Sequence, residues 1–230
     1  MLKNVARLVL PAPARNILQA KHKSVIFRRA MNKFLLNLER GLPFDRRVIF
    51  DLIYGWDNEA WSADTEYLIA CLEQAQICRG PILECGSGLS TLLIGAVAQK
   101  SGNVLCSLEH HADWGNRVAG LLKRYAINSV QLSVHPLKDY ADFTWYEPPS
   151  ESTRGKYALV ICDGPPGTTR GGRYGLVPIM KPQLAPGCII LLDDAGRVQE
   201  QAIADRWAGE LNSRNETLGS NKPYIRIELR

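Results

Sequence analysis

The sequence predicts an α/β fold: an open, mostly parallel sheet flanked by helices, preceded by a basic helical extension. Three observations carry this. From residue 81 onward, short apolar runs alternate with helix-period segments, the pattern of right-handed strand–helix–strand crossovers. The first 80 residues show helical periodicity and no such alternation. Charge divides the chain in the same way. Residues 1–50 hold eleven Lys or Arg and two acids, a net +9, whereas 51–230 hold 17 bases and 21 acids, a net −4.

In the extension, Phe27, Met31, Phe34, Leu35 and Leu38 fall on one helical face and Arg28, Arg29, Lys33, Asn37 and Arg40 on the other. Gly41 and Pro43 stop that helix. An aromatic loop, Tyr54 to Trp61, leads to a second helix over 64–76 with Ser62 near its cap. The expected division is 1–60 for the extension and 61–230 for the main domain. There, strands are predicted over 81–84, 103–108, 130–134, 157–162, 188–192 and 224–229. Helices are predicted over 90–100, closed by Gly102, and over 113–125, 172–184 and 198–211.

With 230 residues, 46% hydrophobic and 22% charged, the chain suits one ordinary domain plus an appendage and excludes long disorder. The apolar runs are too short to cross a bilayer. A nucleic-acid partner would need a basic cleft in the main domain, and its composition offers none. Six cysteines without CxxC spacing read as buried, reduced thiols, and no signal-peptide pattern is visible, so the expected location is cytoplasmic. The four histidines lack zinc spacing.

Ligands of open parallel sheets bind beyond the carboxyl ends of the strands. The residues there are Glu84-Cys-Gly-Ser-Gly88, Glu109-His-His111, His135-Pro-Leu137, Asp163-Gly-Pro-Pro-Gly167 and Asp193-Asp194. Gly86 and Gly88 permit a tight turn with exposed backbone N–H groups. Glu109 ends the next strand, where a carboxylate accepts both hydroxyls of a ribose. The dinucleotide fingerprint wants a third glycine, and Ser87-Gly88-Leu89-Ser90-Thr91 has none. Glu84 would repel a pyrophosphate but suits an ammonium. S-adenosylmethionine, which has an ammonium, a sulfonium and a ribose but no phosphate, fits better than NAD(P).

Residues 82–91 (ILECGSGLST), Leu108-Glu109, Asp163-Gly-Pro-Pro-Gly167 and Leu191-Leu-Asp-Asp194 together resemble class I S-adenosylmethionine-dependent methyltransferases, over roughly residues 61–230. The later motifs are similar to small-molecule, catechol-type O-methyltransferases. The resemblance implies a Rossmann-like sheet of seven strands with the last antiparallel, the role open to 224–229. It further implies that Glu84, Gly86, Ser87 and Gly88 hold the methionine end, with Ser90 and Thr91 near its carboxylate. Glu109 would bind the ribose, Leu137 would flank the adenine, and Asp163 would sit beside the sulfonium and methyl. In catechol-type enzymes the positions of Asp163, Asp193 and Asp194 hold a metal, so Mg²⁺ or Ca²⁺ is one alternative here. No lysine follows Asp163 to act as base, which leaves Asp163 or His111.

The reading is therefore a methyltransferase acting on a small-molecule acceptor, most simply at oxygen. An NAD(P)-dependent oxidoreductase and a catalytically silent S-adenosylmethionine-binding module are the competitors. Simpler roles compete at single residues. Asp194 would cap the following helix, Asp193 would pair with Arg197, and Arg170, Arg173 and Tyr174 would form a solvated loop at the acceptor mouth. Trp56, Trp61, Trp145 and Tyr146 would either pack or wall a pocket. Loops 140–156 and 168–175 would select the acceptor. The basic N-terminal helix would pack on the body or lie on an anionic membrane surface. Self-association into a homodimer stays open.

Overall fold

The computed structural model describes residues 12–58, 62–149 and 155–230. Trp61 and the 150–154 part of the expected acceptor loop lie outside them. The described residues fall into two compact units that divide after residue 65.

The first unit pairs two helices, α1 (Ala12–Glu39) and α2 (Arg46–Trp56). Asp45 caps α2 by accepting from the backbone N–H groups of Arg47 and Val48. Val48, Ile49, Leu52 and Trp56 then form its buried face. Phe27 of α1 packs on Trp56, ring centroids 5.6 Å apart, and the Phe27 backbone runs so near Gly55 that a Cβ there would lie 2.7 Å from its nitrogen. The expected aromatic loop is thus partly helix: Tyr54 and Trp56 belong to the last turn of α2.

The second unit is built on a seven-stranded sheet. Its strands are β1 (Ile82–Cys85), β2 (Leu105–Glu109), β3 (Val130–Val134), β6 (Tyr157–Cys162), β7 (Leu184–Leu192), β8 (Arg214–Leu218) and β9 (Tyr224–Glu228), with a small hairpin of β4 (Lys138–Asp139) and β5 (Thr144–Trp145). The spatial order is β3-β2-β1-β6-β7-β9-β8. Pairings from β3 through β7 are parallel, and β9 runs antiparallel to both neighbours. The helices are α3 (Thr65–Ile77), α4 (Leu89–Ser101), α5 (Ala112–Arg124), α6 (Leu176–Met180) and α7 (Val198–Glu210). Residues 89–98 of α4 are all buried, the mark of a helix enclosed on every side.

Two expected elements change. The helix predicted over 172–184 shrinks to α6, because Gly171 and Gly172 adopt positive φ (78° and 54°) and hold the chain in turns. A 3₁₀ turn (Lys181–Gln183) ends it, and β7 starts at Leu184 rather than 188. All six cysteines are buried and free. Among the described residues no helix is long and apolar enough to cross a membrane.

Candidate active site

The sheet order reverses between β1 and β6, which places the glycine turn after β1 beside the Gly-Pro-Pro-Gly turn after β6. Gly86 sits at φ 93°, and a Cβ on it would lie 3.2 Å from the Gly164 nitrogen. A Cβ on Gly164 would meet the Tyr146 hydroxyl and lie 3.1 Å from the Gly86 Cα. Two glycines therefore let two backbones touch at the switch point. At Gly88 a Cβ would meet nothing within 4 Å, so this face of the turn is open.

Register explains the anchoring of the turn. Glu84 and Ser107 are cross-strand partners and share a face, and the Ser107 hydroxyl donates to Glu84 Oε2 at 2.6 Å. Thr91 Oγ1 donates to the same oxygen at 2.6 Å while accepting from the Gly88 N–H at 2.8 Å. Thr91 thus ties helix to turn. Glu84 is wholly buried, and its Oε1 makes no hydrogen bond, with the Ser90 hydroxyl beside it. Burial pushes this carboxyl up to about 7, against the hydroxyls that favour its anion.

Glu109 behaves oppositely. Its Oε1 accepts the N–H groups of His110 and His111 at 2.7 and 2.8 Å, and its Oε2 accepts Ser87 N–H and Oγ at 3.1 and 2.6 Å. Burial works to raise it, but the His110 and Ser87 side chains and these amides hold it at about 2. The Trp114 indole donates to the Ser87 carbonyl at 2.7 Å, fixing the turn from the α5 side. Leu137 is half-buried against the cluster containing Trp145 and Tyr146. Both of those aromatics are buried.

His111 stands at the N-cap of α5, its Nδ1 accepting from the Trp114 N–H at 3.4 Å.

Asp163, Asp193 and Asp194 do converge, each with an oxygen within 4.8 Å of the others. Cations already occupy them. Arg173, only 2% exposed, donates from Nη2 to Asp163 Oδ1 (3.0 Å), the Asp163 carbonyl (2.7 Å) and Asp194 Oδ2 (2.7 Å), and from Nη1 to the Asp193 carbonyl (2.6 Å). Lys222 bridges Asp193 Oδ2 at 3.2 Å and Asp194 Oδ1 at 2.9 Å, and Arg197 pairs with Asp194 Oδ2 at 2.9 Å. Asp193 Oδ1 accepts the Asp194 N–H. Only Asp163 Oδ2 has no partner among these contacts.

Mg²⁺ and Ca²⁺ take carboxylate and water oxygens; here a guanidinium and an ammonium already balance the three carboxylates, which gives the metal expectation for Asp163, Asp193 and Asp194 no support. Two simpler expectations change too: Asp194 is not the cap of α7, whose N-cap is Arg197, and Asp193 pairs with Lys222 rather than Arg197. Arg173 is a buried clamp and not a solvated loop residue. Arg170, by contrast, pairs with Asp139 at the exposed surface.

The Asp163 side chain, 26% exposed, is the open member of the cluster. Burial and the Asp193 charge push its carboxyl up to about 7, with Arg173 opposing. Asp193 is raised as well, chiefly by burial. For Asp194, Arg173 and Lys222 outweigh burial and hold the carboxyl below its usual range.

Residues 83–195, from β1 to the end of this cluster, match the family model of a methyltransferase domain. These residues, just under half of the chain, form a methyltransferase domain. Solved structures share the methyltransferase's fold. A putative caffeoyl-CoA O-methyltransferase from Staphylococcus aureus aligns with TM-score 0.57 and 13% identity, over 85% of this chain and 98% of that one. An O-methyltransferase from Bacillus cereus in complex with S-adenosylhomocysteine gives 0.55 and 14%, over 82% and 92%. An S-adenosylhomocysteine-bound methyltransferase from Podospora anserina gives 0.54 and 16%, over 96% and 98%. No curated protein sequence matches the methyltransferase significantly. Ser107, Trp114 and Lys222 join the site without having been legible in advance, and Arg173, expected at the acceptor mouth, joins it as a buried clamp.

Proposed function

We propose that this methyltransferase acts on an oxygen nucleophile of a small molecule, with Asp163 as general base and no metal ion. The observation that carries the reading is the one oxygen of the three-aspartate cluster left without a partner, Asp163 Oδ2, at the carboxyl end of β6, next to the glycine turn. That the Bacillus cereus and Staphylococcus aureus neighbours are described as O-methyltransferases favours oxygen as the acceptor atom.

The donor side fits S-adenosylmethionine. The free Glu84 oxygen suits its ammonium, Gly86, Ser87 and Gly88 offer an open turn, and Ser90 stands at the start of α4. The Glu109 anion suits the ribose, whose hydroxyl would exchange with Ser87 Oγ, and Leu137 suits the adenine edge. When bound, S-adenosylmethionine supplies an electrophilic methyl group on sulfur. Asp163 takes the proton of the acceptor hydroxyl on Oδ2, a step for which a carboxyl near 7 is well matched at neutral pH. Arg173 fixes Oδ1 of that carboxylate so that Oδ2 faces the acceptor. Buried thiols throughout suit a reducing compartment, the cytoplasm.

Calorimetric titration with S-adenosylmethionine, S-adenosylhomocysteine and NAD, each with and without Mg²⁺, tests the donor and the metal together. Binding of the two sulfur nucleosides, unaffected by Mg²⁺, is expected. Tight NAD binding, or affinity that requires Mg²⁺, would overturn the reading.

A further inference from the structure

The outward face of α1 plays no part in the chemistry above, yet its residues are strongly ordered by type. Taking 100° per residue, Leu18, Val25 and Leu36 lie within about 20° of one line along the helix. They are exposed to 54%, 37% and 44%. Lys21, Arg28, Arg29 and Arg40 lie within about 80° of the same line, all exposed and none in an ion pair among the described residues. The opposite face holds Phe27, Ala30, Met31, Phe34 and Leu38, all buried. Between residues 12 and 42 stand seven bases and one acid, Glu39.

We propose that this face docks on an anionic phospholipid surface. Cations on both flanks meet the headgroup phosphates and carboxylates, while the apolar spine between them enters the acyl boundary. The two features together select this partner. A nucleic acid would satisfy the cations but leave three aliphatic side chains in water. A second copy of the helix would cover the spine but set four unpaired cations against four others. The face runs about 33 Å from Leu18 to Arg40 at 1.5 Å per residue, long enough to lie flat on a membrane. Each basic residue near an anionic bilayer strengthens partitioning about fivefold, so the four together are worth several hundredfold.

The test is co-sedimentation of the full-length protein with vesicles of phosphatidylcholine alone or mixed with phosphatidylserine, at low and high salt. The wild type is expected to bind only the mixed vesicles and to come off as salt rises. K21E/R28E/R29E/R40E should abolish binding. L18Q/L36Q should weaken it strongly although every charge remains. Both variants alter exposed side chains, and unchanged thermal melting and S-adenosylhomocysteine binding would show them folded. Equal binding to neutral vesicles, no binding at all, or full binding by the charge variant would overturn the proposal. So would retention by a polyanion column that ignores the leucine change, which indicates nucleic acid, or a dimer that the leucine change disperses.

Discussion

Glu84 makes a prediction whose sign runs against intuition. Its carboxyl is raised from 4.5 to about 7 by complete burial, so the folded protein holds this proton more tightly than the unfolded chain does. Stability from this group is greatest at low pH, declines between 4.5 and 7, and is fully lost above. The displacement corresponds to about 3 kcal/mol. Replacing Glu84 with Gln removes the ionisation while leaving an oxygen for Thr91 and Ser107. The new amide N–H groups, poorly matched, cost about 1 kcal/mol. Glu84→Gln should therefore be the less stable protein near pH 5 and the more stable near pH 8.5, by about 2 kcal/mol in the latter case. Urea denaturation of both proteins across that range gives the difference directly. Comparing the two cancels Asp163, which is raised as well and falls in the same window. A difference that does not vary with pH would refute the argument. A cation at Glu84 Oε1 would relieve the penalty, so S-adenosylmethionine affinity of the wild type should rise with pH toward 7, and that of Glu84→Gln should be weaker and pH-independent.

Other outcomes follow from the same geometry. Asp163→Asn should lower kcat by about 10²–10⁴-fold and erase the limb of the pH–rate profile near 7, with S-adenosylhomocysteine affinity, read by calorimetry, little changed. Arg173→Met leaves buried carboxylates without their guanidinium and should cost about 3–5 kcal/mol at pH 8. The cost should shrink toward pH 5 as those carboxyls take up protons, and the variant, unlike the wild type, should gain measurable affinity for Ca²⁺ or Tb³⁺. Glu109→Gln removes an anion held at about 2. Stability that this anion supplies above 4.5, and that disappears as pH falls toward 2, should be missing by about 2–3 kcal/mol at neutral pH, together with most of the nucleoside affinity in the same calorimetric titration.

The parts of the site that declared themselves in the sequence are those encoded within a few residues. The glycine turn, Glu84 and Glu109 sit where a strand hands over to a helix, so periodicity and motif coincide. The acidic cluster was visible as strand ends, but its charge balance was not. Arg173 and Lys222 reach it from a loop and from the approach to β9, and only the assembled sheet reveals that they balance its charge. Helix α2 was legible in principle, since Asp45 precedes Val48, Ile49 and Leu52 at helical spacing, but the aromatic run after it masked its end. The 172–184 segment misled because two glycines at positive φ delay the helix, a backbone choice that side-chain pattern does not report. Strand β8 left no hydrophobic trace at all, because Arg214-Asn-Glu-Thr217 alternates nothing.

That polar strand has a consequence of its own. A seven-stranded open sheet ends in two margins whose amide and carbonyl groups could recruit a foreign strand. On the β8 margin, Arg214, Glu216 and Thr217 project into solvent, and the Arg226–Glu228 pair lies on the neighbouring β9. A newcomer would have to strip water from those ionic groups in order to zip onto the margin. The hydrophilicity that hid β8 from periodicity arguments is what guards the sheet from self-templated aggregation.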